Sequence, residues 1–255
     1  LGILLAVRNT IHEAASRQPS RSPVRGLPPV SEFSALHVNR ERPRPDELLE
    51  WDMTRSMFRF LSRQPEGPLL YGDAHLLRLA RHGDYGQWHS LRSESRGFLQ
   101  PWEPRWRDDE LTAPSFRARV DRGVDEHRAG HSVPLLLFER PGMTLLGGLT
   151  IGYIRRGAAQ SCMIGYWMGE RHAGQGHMES ALKIAIPYIY GQLQLHRIEA
   201  ACIPENWKSV RLLEKTGFER EGLLRQYLKI NGEWRDHVMF SRLPEDGEFG
   251  KMMRP

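Results

Sequence analysis

Arg171-His172-Ala173-Gly174-Gln175-Gly176-His177-Met178 joins an apolar, strand-like run, Met163-Ile164-Gly165-Tyr166-Trp167-Met168, to a segment in which Met178, Ala181, Leu182, Ala185 and Ile189 recur at helical spacing. The first N–H groups of such a helix have no partner within it and carry partial positive charge, so an anion satisfies them. Glycines at 174 and 176 let the main chain approach phosphate oxygens with no Cβ in the way. Two common phosphate loops do not fit. A dinucleotide fingerprint needs a small residue three positions after the second glycine, where this chain has Glu179. A P-loop would end in Gly-Lys-Ser/Thr, where this chain has Gly176-His177-Met178 and no hydroxyl for magnesium.

What remains is Arg/Gln-x-x-Gly-x-Gly/Ala between a strand and a helix, and the residues downstream give it company. Leu195-His196-Arg197-Ile198-Glu199-Ala200 opens a strand that runs to Ile203. Pro204-Glu205-Asn206-Trp207-Lys208-Ser209 then starts a short helix, and Leu213-Glu214-Lys215-Thr216-Gly217-Phe218 ends it at a glycine suited to the left-handed conformation. These motifs, in this order, resemble the GNAT superfamily of N-acetyltransferases, and within it the RimJ/RimL type that acetylates ribosomal-protein N-termini. Ser95-Arg96-Gly97-Phe98-Leu99-Gln100-Pro101-Trp102-Glu103-Pro104 and Gly232-Glu233-Trp234-Arg235-Asp236-His237 extend the resemblance over roughly residues 68 to 243.

The resemblance implies an α/β GNAT fold, with a mixed and splayed central sheet flanked by helices. It implies transfer of acetyl from acetyl-CoA to a primary amine by direct attack in a ternary complex. The expected acceptor is the N-terminal α-amine of a protein, foremost an alanine-starting ribosomal protein. Two alternatives stay open, a small amine such as an aminoglycoside or polyamine and a non-catalytic acetyl-CoA-binding regulatory module. By the same resemblance the diphosphate sits on Arg171, His172, Gly174, Gln175, Gly176, His177 and Met178. The pantetheine arm pairs with backbone at Trp167, Met168 and Gly169, as an added strand would. The Met168 amide polarises the acetyl carbonyl.

Asn206 is read both as helix cap and as a partner of the pantetheine arm. Many relatives carry a tyrosine where this chain has Leu213, and leucine cannot protonate a thiolate, so Ser209 is the candidate acid, with Tyr227 as fallback. Glu103 is the acid-base candidate, against a role in capping its loop or orienting substrate. Gln226 stands where some relatives carry a glutamate, which weakens the case for a side-chain base and leaves water to relay the proton. Asp236 and His237 are assigned to the last hairpin. An α-amine, with a pKa of about 8, is roughly 10% neutral at pH 7, whereas a lysine, at about 10.4, is below about 0.1% neutral. An N-terminal acceptor therefore asks little of a base.

The 255 residues, 40% hydrophobic, suffice for one sizeable core, and a single domain is expected over 68–243. Residues 1–52 include a Pro-, Ser- and Arg-rich stretch too poor in apolar groups to offset ordering entropy and are read as an extension. A natural start is expected at Met53 or Met57, with 53–67 as lead-in and 244–255 as tail. The net charge of +5 is read as a solubilising surface, with docking on an acidic or ribonucleoprotein partner as the alternative and no direct nucleic-acid site. Two cysteines are too few for a disulfide framework or a thiolate zinc site, and the eleven histidines lack metal-site spacing, so no metal is expected. The apolar opening Leu1–Val7 is far shorter than the ~20 residues of a membrane span, so a cytoplasmic protein is expected, with a homodimer left open.

Periodicity and turn residues predict the order of elements. Leu69–Leu79 reads as one strand, Asp84 as the cap of a helix to about Arg92, and Ser115 as the start of a helix ending near Gly130. Val133–Glu139 and Met143–Arg155 form a hairpin about Pro141-Gly142, and Gln226–Ile230 and Glu233–Ser241 another about Asn231-Gly232. Pro187 is expected to kink the main helix or end it early.

Overall fold

The computed structural model describes residues 67–246. The extension over 1–52, the start at Met53 or Met57, and most of the lead-in and tail lie outside the described residues.

The described residues open with a tight hairpin, β1 (Leu69–Tyr71) and β2 (His75–Leu79). The single strand expected here is broken because the Gly72 N–H donates to the His75 carbonyl at 2.9 Å, turning the chain through Gly72-Asp73-Ala74. Three helices follow, α1 (Tyr85–Glu94), α2 (Arg96–Leu99) and α3 (Ala113–Arg128). Asp84 precedes α1 but does not cap it with its side chain. Its carboxylate is held by Arg78 at 2.7 Å on both oxygens and by the Arg81 N–H. Thr112 caps α3 by accepting from the Ser115 N–H, so that helix begins earlier than Ser115. Then come β3 (Val133–Glu139), β4 (Thr144–Arg155), β5 (Ser161–Met168), α4 (His177–Gly191), β6 (Arg197–Cys202) and α5 (Trp207–Lys215). The hairpin of β7 (Glu219–Ile230) and β8 (Glu233–Arg242) ends the sheet.

Among the described residues eight strands form one sheet in the order β1-β2-β3-β4-β5-β6-β8-β7. Every pairing is antiparallel except β5 with β6. A parallel neighbour needs a crossover, which α4 supplies. On one face α1 and α3 bury Trp88, Leu91, Phe116 and Val120 against Leu76, Leu136, Phe138 and Leu145. The larger cluster gathers α4 and α5 with residues of the central strands.

Pro187 does not end α4, which continues to Gly191. An interior proline costs a helix about 3 kcal/mol. The turn beyond it buries Tyr188, Ile189 and Tyr190, and burial contributes about 1.5–3 kcal/mol for each large side chain, enough to carry the helix through. β7 starts at Glu219 rather than Gln226, because an irregularity between Leu224 and Leu228 divides a strand whose first part is mostly exposed and lacks an apolar face.

Candidate active site

β5 and β6 are paired only at their start, through Ser161 with Arg197, Cys162 with Ile198 and Met163 with Glu199. Beyond Met163 they part. Ala200, Ala201 and Cys202 stay with β8, opposite Phe240, Met239 and Val238, while β5 stays with β4 up to Gly147 opposite Met168. The result is a wedge between two strands, with a β5 edge that has no strand partner over Ile164–Met168. Two glycines bring β4 close behind it: a Cβ on Gly147 would lie 2.3 Å from the Trp167 carbonyl oxygen, and one on Gly148 2.5 Å from the Trp167 indole nitrogen.

At the open end of the wedge the chain passes Gly169, makes a 3-10 turn over Glu170–His172, and enters α4 through Gly174 (φ 80°) and Gly176 (φ 83°). Both glycines occupy the left-handed region, and a Cβ on either would meet no protein atom within 4 Å. Gly176 offers α4 no side-chain cap, so the first-turn N–H groups are left for another partner. The loop is laced from within. The Gln175 amide donates to the Arg171 carbonyl at 2.8 Å, and Arg171 reaches Glu94 at 2.9 Å and His172 at 3.1 Å. Burial, with Arg171 and His177 nearby, holds His172 below the usual imidazole range. This cradle fits a diphosphate: an uncapped helix start, two open glycines and an adjacent arginine.

Within the wedge the Tyr166 hydroxyl and Ser209 Oγ lie 2.7 Å apart, joining β5 to α5 across the gap. Ser209 and Asn206 are both buried. Asn206 caps α5, its Oδ1 accepting from the Ser209 N–H at 3.2 Å. Burial pushes the Tyr166 phenol well above its ordinary value despite the bond to Ser209. Burial likewise raises the Cys202 thiol at the end of β6.

Glu103 lies on the other side, 3% exposed, with both oxygens engaged. Arg92 donates to Oε1 at 2.9 Å and to Oε2 at 2.7 Å, and the Trp106 indole N–H donates to Oε2 at 2.7 Å. The Arg92 guanidinium sits 4.4 Å from the Trp106 ring and 5.0 Å from Trp167. The Asn231 N–H at the hairpin tip donates to the Glu103 carbonyl at 2.8 Å, tying this loop to the β7–β8 turn. Beside them a cavity of about 320 Å³ is bounded by Trp88, Arg92, Phe116, Arg119, Tyr166 and Trp167 among others.

The glycine loop, Trp167, Met168, Gly169, Asn206 and Ser209 thus converge on one wedge, and Glu103 stands across Trp167 from them. Tyr227 does not join them; its phenol is raised by burial and by Glu199, which is paired at the closed end of the wedge. Gln226 is held by Asp236, which accepts its N–H at 2.8 Å, and His237 is fully buried with Nδ1 2.9 Å from the Arg235 carbonyl. Sequence reading missed Tyr166, Arg92, Trp106 and His75. Tyr166 and His75 act through partners distant in sequence, Ser209 and His177, which no local spacing encodes. Trp106, three residues after Glu103, and Arg92, four after Trp88, carried the only local signal.

Residues 75–219 match the family model described as an acetyltransferase (GNAT) domain. The chain is 34% identical over 196 residues to the ribosomal protein uS5 alanine N-acetyltransferase of Escherichia coli (strain K12), covering 76% of this chain and 100% of that protein. It is 35% identical over 158 residues to the probable N-acetyltransferase YjcK of Bacillus subtilis (strain 168), covering 62% of this chain and 87% of that one. Among solved structures, Mycobacterium smegmatis RimJ in complex with CoA-disulfide matches with a TM-score of 0.65 and 33% identity, over 71% of this chain and 88% of that one. The chain belongs to the GNAT acetyltransferases, of the RimJ type, and is an N-acetyltransferase that uses acetyl-CoA.

Proposed function

We propose that the enzyme passes acetyl directly, in a ternary complex, to the N-terminal α-amine of a protein, foremost an alanine-starting ribosomal protein met in the cytoplasm. The observation that carries this reading is the wedge between β5 and β6, with the glycine cradle at its mouth and the Tyr166–Ser209 pair inside. The name of the Escherichia coli relative supports the acceptor class.

Acetyl-CoA supplies a thioester carbon that an amine can attack. The N–H groups from Gly174 to Met178 hold the diphosphate, with Arg171 beside them; those of His172 and Ala173 are already given to the Gly169 and Glu170 carbonyls, so the expected cradle starts two residues later. Backbone at Trp167, Met168 and Gly169 orients the pantetheine arm, and the Met168 N–H stabilises charge gathering on the acetyl oxygen. Asn206 has Oδ1 committed to Ser209, which leaves its NH₂ for the arm. As the new C–N bond forms and C–S breaks, Ser209 gives its proton to the departing sulfur. With Tyr166 donating to Ser209 Oγ, the Ser209 proton is not needed by Tyr166 and can turn from the Cys202 thiol, its other neighbour, to the departing sulfur, while burial keeps the Tyr166 phenol protonated.

Glu103 is read here as an anchor rather than the base, because Arg92 and Trp106 occupy both of its oxygens. Water then takes the amine proton, which suits an α-amine already roughly 10% neutral at pH 7. The cavity by Trp167 carries Arg92, Arg119 and Arg122 against Glu103 and Glu126, a balance that disfavours a polycation such as a polyamine or aminoglycoside. Incubation with acetyl-CoA and a panel of ribosomal-protein N-terminal peptides, polyamines and aminoglycosides, read by mass spectrometry, tests the proposal. Acetylation of one class of peptide α-amine is expected; modification of small amines alone would move the assignment to them, and binding without turnover would favour a regulatory module.

A further inference from the structure

His75 opens β2 and is buried, on a strand that the glycine loop does not contact in sequence. Its Nε2 lies 2.9 Å from Nδ1 of His177, the first residue of α4. His177 Nε2 lies 3.3 Å from Gln175 Oε1, and the Gln175 amide donates to the Arg171 carbonyl at 2.8 Å. An amide oxygen only accepts, so His177 Nε2 carries the proton, and in the neutral ring Nδ1 accepts from His75 Nε2–H. One relay therefore runs from β2 through the helix start into the cradle.

We propose that His75 and His177 form a single-proton pair that completes the diphosphate cradle and takes up one proton together with the cofactor's diphosphate. The geometry fixes the stoichiometry. With one added proton, His177 donates from Nδ1 and His75 switches tautomer to accept, so the short contact survives. A second proton would set N–H against N–H across 2.9 Å.

The surroundings balance that proton finely. Against it stand the positive end of α4, Arg171 and His172 on the loop, and burial, which with His177 holds His75 below the usual imidazole range. In its favour stands Glu139 of β3, paired directly opposite His75. Arg140 beside Glu139 is turned away to the Tyr71 ring, 5.2 Å distant. Glu179 on the first turn of α4 is held by Lys183 and Lys215 at 2.9 and 2.6 Å, and Glu94 of α1 by Arg171 at 2.9 Å. A bound diphosphate tips the balance toward the charged pair.

This inference rests on the glycine loop being the diphosphate site, and the test separates the two. Dephospho-CoA is the probe, because it keeps the diphosphate and lacks the 3′-phosphate that itself titrates near neutrality. Its binding is followed by calorimetry on the full chain from pH 8 to pH 6, in buffers of different ionisation heat. Wild type should bind about five- to tenfold more tightly at pH 6, with proton uptake of up to about one equivalent, since one pKa unit of differential interaction is tenfold in affinity. The double variant His75→Gln/His177→Gln keeps hydrogen-bonding groups at both positions. It should lose the pH dependence, binding no more tightly at pH 6 than at pH 8 and without proton uptake. Binding without proton uptake in wild type overturns the paired-histidine proposal and needs no variant. Uptake that persists in the double variant assigns the proton to His172 and overturns it too. No binding at all overturns both the pair and the loop assignment.

Discussion

Ser209 and Tyr166 share a 2.7 Å hydrogen bond inside the wedge, so removing each hydroxyl has a separable effect. Ser209→Ala should lower kcat about 100-fold or more, the lower range for a general acid, while acetyl-CoA affinity stays within about twofold. Equal losses of turnover and binding would make Ser209 structural. Tyr166→Phe, which spares Ser209, should cost less, about tenfold in kcat. Glu103→Gln separates anchor from base: it unbalances the buried charge of Arg92, so thermal stability should fall clearly, by about 3–5 kcal/mol when one partner of such a pair is lost. Protein that does fold should keep the acidic limb of its pH–rate profile. Disappearance of that limb, with stability unchanged, would restore Glu103 as the base. Motif and spacing singled out Asn206, Ser209 and Glu103 in the sequence, Glu103 as an acid–base candidate, whereas its ties to Arg92 and Trp106 favour an anchor. Tyr166, Arg92 and His75 were not singled out, since their meaning lies in partners 43, 11 and 102 residues away.

At the scale of elements, the cradle and its supports depend on a few backbone positions. Gly176→Asp should abolish measurable acetyl-CoA binding because the carboxylate faces the diphosphate, while circular dichroism stays unchanged, since a Cβ there meets no protein atom and the left-handed backbone costs Asp only about 1–2 kcal/mol. Retained binding would reject the loop. Gly169→Ala acts differently: its Cβ would lie 2.3 Å from Leu91 Cδ1, pressing α1 away from the end of β5, at a cost of about 1–3 kcal/mol read as a lower unfolding midpoint. Most element types were readable from periodicity, and the Asn231-Gly232 turn from its residue pair, both in the left-handed region. The β1–β2 turn and the passage of α4 through Pro187 were not. One depends on a three-residue turn inside an apolar run, the other on tertiary burial of Tyr188, Ile189 and Tyr190 that outweighs local propensity.

For the whole molecule, acid should weaken the fold well before its carboxylates are lost. His75, His127, His172 and His237 all have imidazoles held below their ordinary 6.5, by burial first in each case. Such groups are neutral when folded and protonate on unfolding, so the unfolded chain binds more protons below about pH 6.5 and stability drops as pH falls. Fully buried His237 alone can contribute up to about 1.4 kcal/mol per pH unit in that window. Glu221, pulled down to about 2 chiefly by Arg197, adds its loss only below about pH 4.5. Denaturant midpoints at pH 7.5 and 5.5 should therefore differ clearly, and equal midpoints would contradict the burial of these rings.

One peptide can decide which amine receives the acetyl group. An alanine-starting ribosomal-protein peptide with an internal lysine, incubated with enzyme and acetyl-CoA, should gain one acetyl, located by fragment masses on the α-amine. Acetyl found on the lysine, or none while a polyamine in the same tube is modified, would contradict the α-amine as acceptor.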